Sequence, residues 1–172
     1  MQQRHHLKWA SPRAALVLLL FTPLAGAGEK ENSALAMPQA VSDTPFASER
    51  EAVIWRREEL KDIESLLRQL RFDLVNNQDN EAAAPSLTEL KERASASNLL
   101  PAFIAGTHGS GSEARASIWD EWEEFSAGFT DLEDKVANLI DTAEQGNPRD
   151  TARALSEVGA SCKSCHRAYR YD

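Results

Sequence analysis

Eight apolar side chains, Ile118, Trp122, Phe125, Phe129, Leu132, Val136, Leu139 and Ala143, follow one another at intervals of four and three without a break. At 3.6 residues per turn that spacing gathers them into one narrow stripe along a helix. On a strand, whose side chains alternate, it would scatter them over both faces. A stripe two residues wide in every seven is what a helix buries against other helices. A chain with this segment at its centre is thereby committed to helix-on-helix packing.

The rest of the sequence agrees. Val53, Arg56, Leu60, Ile63, Leu67, Leu70 and Leu74 repeat at three and four, which predicts a first helix from Phe46 or Ala47 to Leu74, closed by Asn76-Asn77-Gln78-Asp79-Asn80. Ser86-Leu87-Thr88-Glu89 has the form of a capping box and predicts a second, shorter helix that stops before Pro101. Gly146-Asn147-Pro148 ends the third helix and opens a fourth, with Asn147 as N-cap and Pro148 at the first helical position. Leu155, Val158, Cys162, Cys165 and Tyr169 share one side of that last helix. No alternating strand pattern and no hairpin dipeptide is present. The expected fold is all-α, an antiparallel up-down-up-down four-helix bundle. In that topology the start of the first helix, the connection between the second and third, and the end of the fourth meet at one end.

The N-terminus reads differently. Met1 to Arg13 carries Arg4, Lys8 and Arg13 with no acid, and Ala14 to Leu24 is almost wholly apolar before Ala25-Gly26-Ala27. That is the pattern of a secretory signal peptide over residues 1–27. The rival reading is a transmembrane anchor, but eleven residues at ~1.5 Å each span roughly 16 Å, against a hydrocarbon core of about 30 Å. Residues 28–45 are polar and aperiodic and are expected to be a flexible extension, leaving 46–172 as the folded domain. Removing the leader, with three basic residues and no acids, takes the formal net charge from −8 to −11. Nucleic-acid binding, which needs clustered Lys and Arg, is not expected, nor is a membrane surface.

The chemistry is concentrated at the other end, where both cysteines stand in Cys162-Lys163-Ser164-Cys165-His166. This is the C-x-x-C-H of covalent haem attachment. Cysteines at i and i+3 share a helix face, so each sulfur can form a thioether to one vinyl group of haem c. His166 follows at i+4 from Cys162 and can turn its imidazole to the iron. A thioredoxin-like pair would want a βαβ context and a zinc site would want more ligands. Beyond the leader only His108 and His166 remain as histidines.

The opposite face of the iron decides what such a protein does. Met or His there makes an electron carrier, whereas an open face admits a small gas. Met37, in the extension, is the only methionine after the leader, and the only spare histidine is His108, in Ala105-Gly106-Thr107-His108-Gly109-Ser110-Gly111. A five-coordinate iron is therefore expected. Arg56 occupies an inward position where an aliphatic residue belongs, and a haem propionate would supply the partner a buried guanidinium needs. Leu60, one turn further, would then face the distal side of the iron.

Three stretches resemble the cytochrome c prime family: Val158 to Arg170 around the haem motif, Ala52-Val53-Ile54-Trp55-Arg56-Arg57-Glu58-Glu59-Leu60, and Ala114-Arg115-Ala116-Ser117-Ile118-Trp119. Cytochromes c prime are themselves a standard example of the up-and-down bundle. The resemblance implies that Arg56 contacts a propionate and that Leu60 packs over the open iron face. It implies further that Arg170 lies beside the proximal face, that Arg57 and Arg115 sit at other propionate contacts, and that the chain forms a homodimer. Ala116 stands where the family often has proline. The loop from Phe103 to Ser112 departs from the family's forms, which leaves Phe103 as the candidate for the aromatic lid of the distal pocket.

The expected function is a periplasmic gas-binding haem protein that takes nitric oxide or carbon monoxide and sequesters nitric oxide. The alternative is an electron carrier with a six-coordinate haem, ligated by His108, that docks to a periplasmic redox partner. An enzymatic role would need a distal acid or base. Glu58 and Glu59 are expected to turn off the stripe of the first helix as solvated carboxylates, so no enzyme is expected.

Overall fold

Ser48 opens the first long helix: its side chain accepts the Glu51 N–H at 3.1 Å, while the Glu51 carboxylate accepts the Ala47 N–H at 2.8 Å. With Glu49 and Glu51 in its first turn against the positive end of the helix dipole, α1 runs Glu49–Leu70. The computed structural model describes residues 36–171, so the expected leader lies outside the described residues. The chain continues from α1 through a π-helical segment, Arg71–Asn77, to Gln78 in the left-handed region at φ 54°. Asp79 then caps α2 (Asn80–Arg93) by accepting the Ala82 N–H at 2.9 Å.

This helix starts earlier than the capping box at Ser86 suggested. The cap is Asp79, and Pro85 sits inside the helix on its exposed side. Proline there removes one i→i−4 donor within the second turn, and burial of Ala83, Leu87 and Leu90 on the opposite side outweighs that loss. A short α3 (Ala96–Leu99) and a 3₁₀ turn at Leu100–Ala102 lead into the long connection. The third bundle helix comes as α4 (Ser117–Asp120) and α5 (Trp122–Glu144), interrupted at Glu121, which departs from helical geometry at φ −118° and ψ 38°. Gly146 turns the chain at φ 73°, and Asn147 accepts the N–H groups of Arg149 and Asp150 to start α6 (Pro148–Tyr169), with Pro148 in its first turn as expected.

The four long helices pack as an antiparallel bundle. Leu70, Leu74, Leu90, Val136, Leu139 and Val158 are almost wholly buried and form its centre. At the far end, Asn80 donates to the Ala143 carbonyl at 2.8 Å and Thr151 to the Thr142 carbonyl at 3.0 Å. At the near end Phe125 lies at the middle of an aromatic group, its ring centroid 4.9 Å from Phe103, 5.2 Å from Phe129 and 5.2 Å from Tyr169.

Residues 36–44, expected to be loose, instead cross the near end as a strap. The Pro38 carbonyl accepts the Ala105 N–H at 2.8 Å, Val41–Asp43 makes a 3₁₀ turn, and Met37 packs against the main core. Val41, Phe46 and Trp55 cover a second small core of Ala52, Ala102 and Ile104. Nothing periodic marks this strap, because it follows the surface of other elements and has no period of its own.

One side chain ties the near end together. Arg56 of α1 is 2 % exposed. It donates to the Ala102 carbonyl at 2.9 Å, the Thr107 hydroxyl at 2.8 Å, the Thr107 carbonyl, and the Ser112 hydroxyl at 2.7 Å. Its guanidinium carbon lies 4.8 Å from the centre of the Phe103 ring. The connection is thereby pinned to α1 by polar contacts, in addition to the apolar anchorage of its buried Ala102, Phe103 and Ile104. Replacing Arg56 by Met would leave those acceptors buried and unpaired, and should cost about 3 kcal/mol or more. Denaturant unfolding of Arg56→Met beside the parent protein measures this.

Candidate haem site

Cys162, Cys165 and His166 lie in the last two turns of α6, at the end where the long connection returns. Both cysteines are partly buried, and neither is in a disulfide. Burial pushes the Cys162 thiol up, and it pushes Cys165 up to about 11 with a further contribution from the neighbouring Cys162. His166 is exposed, and its pKa is lowered first by partial desolvation and next by Arg170, with Glu113 and Glu64 acting in the opposite sense. A neutral imidazole is the form that binds a metal. His166 lines a shallow groove of about 360 Å³ together with Lys163, Arg167 and Arg170.

The end of α6 is fastened to the segment ahead of α4. Arg115 N–H donates to the Tyr169 carbonyl at 2.9 Å and Tyr171 N–H to the Glu113 carbonyl at 2.8 Å, so that Ala114 and Arg170 form an antiparallel bridge. Three arginines gather on this bridge. Arg170 Nε donates to Glu113 Oε2 at 2.7 Å, and Arg57 from α1 reaches Glu113 Oε1 at 3.7 Å and the Gly111 carbonyl at 3.1 Å. Arg115 stacks over Tyr171, 5.5 Å from the ring centre. Among the described residues Glu113 is the only carboxylate in an ion pair with any of these three cations, and it pairs with Arg57 and Arg170. The buried Nε atoms of Arg57 and Arg115 have no hydrogen-bond partner there.

These features fit a haem group. Two orphaned guanidinium donors and an excess of positive charge await anionic groups of the kind two propionates provide. Leu60, Leu67, Trp119 and Cys165 are only partly buried, although they pack against the main core. A flat apolar ring would complete their burial.

The expected residues separate into groups. Arg57, Arg115 and Arg170 come together around Glu113, on the bridge that joins the end of α6 to the segment ahead of α4. Leu60 is partly buried on α1, one turn beyond Arg56. Arg56 is buried as its place in the stripe implied, but its terminal N–H groups are taken up by the connection and no carboxylate among the described residues pairs with it. Desolvation lowers its pKa to about 10, which still leaves it a cation at neutral pH. Phe103 is buried beneath Arg56 in the aromatic group. His108 is exposed and lies against Trp119, with ring centroids 5.6 Å apart. No hydrogen bond, ion pair or ring contact among the described residues joins it to the cysteine motif.

Glu58 is exposed as expected, but Glu59 is not. It is 9 % exposed and accepts from Arg93 at 2.7 Å and from Asn98 at 3.1 Å. Helical spacing turned it off the apolar stripe and toward α2, where a partner was waiting. Glu113, Thr107 and Ser112 were not legible as site residues at all. They lie in an aperiodic connection and meet α1 and α6 only through the fold.

The comparisons with known proteins agree with this geometry. A family model described as cytochrome c' matches residues 51–170. Cytochrome c' of Rhodospirillum rubrum is 34% identical over 94 residues, covering 52% of this chain and 64% of the relative. Cytochrome c' of Alcaligenes xylosoxydans is 38% identical over 69 residues, covering 40% of this chain and 53% of the relative. Each match thus spans less than two thirds of the relative's own length. The solved structure of recombinant cytochrome c prime from Alcaligenes xylosoxidans superposes with a TM-score of 0.66 at 28% identity, covering 74% of this chain and 99% of that one. Variants of that protein have been solved with carbon monoxide, with nitric oxide and with nitrite. The family match covers most of the described bundle and takes in the cysteine pair, the histidine and the arginine cluster: this chain belongs to the cytochrome c' family, four-helix-bundle proteins that carry covalent haem c.

Proposed function

We propose that the chain is an exported, periplasmic haem protein that binds small neutral diatomic gases and sequesters nitric oxide. Cys162 and Cys165 would hold the haem through thioethers, and His166 would supply a nitrogen ligand to its iron. The observation that carries the reading is the nature of the side chain one turn beyond Arg56 on α1. Leu60, partly buried against the core, has no atom able to ligate a metal. With His166 as its one protein ligand, the bound haem would supply an iron able to take a small gas.

The chain's own residues then divide the work. Arg57 and Arg115, with their unpartnered Nε atoms, hold the propionates. Arg56 holds the connection against α1 and lends its positive charge to the same end. Leu60 and the aromatic group around Phe103 keep the distal side dry, which disfavours anions and water and admits a neutral diatomic. Crowding by Leu60 would disfavour a ligand on the distal side; nitric oxide taken instead on the proximal side would have to replace His166 as the iron's ligand, and Arg170, in the groove beside His166, would be placed to donate a hydrogen bond to it. The gas complexes solved for variants of the Alcaligenes relative support this ligand class.

The visible absorption spectrum of the purified haem protein tests the coordination state. A broad high-spin ferrous band that sharpens on adding carbon monoxide is expected, and His108→Ala and Met37→Leu should each leave the ferric spectrum unchanged. Narrow low-spin bands indifferent to carbon monoxide would overturn the reading, and the variant that abolishes them would name the sixth ligand. Leu60→Ala should tighten carbon monoxide binding roughly tenfold, equivalent to about 1.4 kcal/mol. Equilibrium titration with carbon monoxide measures it, and unchanged affinity would remove steric control by Leu60.

A further inference from the structure

Arg170 does not lie on a helix. It follows α6 in extended conformation, at φ −116° and ψ 139°, so the helical repeat does not decide where its side chain goes. Two things do. The main chain on either side of Arg170 is fixed by the Tyr169 carbonyl accepting from Arg115 and by Tyr171 donating to Glu113. The side chain is gripped at Nε by Glu113 Oε2 at 2.7 Å. Use of Nε leaves both terminal NH₂ groups of Arg170 without a protein partner among the described residues, and Arg170 lines the same groove as His166. The other carboxylate oxygen, Oε1, faces Arg57 at 3.7 Å.

We propose that Glu113 is a positioning residue for the gas ligand: it holds Arg170 so that the terminal NH₂ groups point into the groove beside His166, where a diatomic that has replaced His166 as the iron's proximal ligand would accept a hydrogen bond. The inference rests on the proximal role given to Arg170 above and adds the residue that aims it. Arg170 and Glu113 are 50% and 48% exposed, so a pair in this setting adds little to stability and its effect lies in orientation. A carboxylate suits the task because it grips one edge of the guanidinium and leaves the opposite edge free. Glu113 also offsets one of the three positive charges on the bridge, which limits the attraction of the groove for anions.

The test is the rate at which nitric oxide leaves the ferrous haem protein, measured for the parent, Glu113→Ala, Glu113→Gln, Arg170→Ala and the double variant Glu113→Ala/Arg170→Ala. Both single alanine variants should speed release by roughly two- to fivefold, the range a half-exposed charged pair supplies. The double variant should match Arg170→Ala alone. Glu113→Gln should restore part of the difference, since an amide oxygen can still accept from Nε, and it guards against loss of folding in the alanine variant. The reduction potential provides a second readout: losing the Glu113 charge should raise it and losing the Arg170 charge should lower it. If Arg170→Ala speeds release but Glu113→Ala does not, or if the two effects simply multiply, Glu113 does not act through Arg170 and the proposal fails. If Arg170→Ala leaves release unchanged, the proximal role of Arg170 falls and the proposal falls with it.

Discussion

The near end of this bundle depends on a cation buried without a counter-charge. Arg56 is placed inward by the repeat of α1, in a position that Leu or Ile would fill by packing alone. A guanidinium there has to be compensated, and the compensation comes from two carbonyls and two hydroxyls of the connection between α3 and α4. That connection has three glycines with positive φ between Gly106 and Gly111, and beyond the buried Phe103 and Ile104 its stretch to Ser112 carries no large apolar side chain. Without a polar anchor that stretch would have little reason to adopt one path over another. The path matters because the next residues, Glu113, Ala114 and Arg115, pair with the end of α6.

From that anchor the site assembles outward by charge. The chain is acidic overall, yet Arg56, Arg57, Arg115 and Arg170 converge where the haem motif ends. Glu113 offsets only part of them. A surplus of cations with orphaned donors is unfavourable unless an anion completes it. The haem supplies two carboxylates and a large apolar ring. One such group would answer both the polar and the apolar demands of that end. The helices α1 and α6 supply the rigid walls, and the connection supplies the polar rim.

Much of this was legible along the chain. The stripe from Ile118 to Ala143 and its counterpart from Val53 to Leu74 gave a bundle, because a three-four repeat has one structural meaning. The cysteine pair with its following histidine gave the haem, because few other chemistries use that spacing in a helix. The Gly146-Asn147-Pro148 turn was readable from local chemistry alone. Errors arose where local signals competed or were absent. Ser86 to Glu89 looked like a helix start although Asp79 had already capped one, and Glu59 looked solvated because a stripe says nothing about polar partners on another helix. The strap from Met37 to Thr44 carries no period, so its packing over Ala102 and Ile104 could not be anticipated.

Sequence by itself determined the class of fold, the kind of cofactor and the inward place of Arg56. Each of these depends on residues within a few turns of one another, and helix periodicity relates them directly. Only the tertiary structure decided which acceptors take up Arg56, that Glu113 grips Arg170 across 57 positions of sequence, and that the buried Nε atoms of Arg57 and Arg115 stand without a partner. Those facts depend on where an aperiodic connection comes to rest. Its course is set by the helices it bridges and not by any repeat in its own residues.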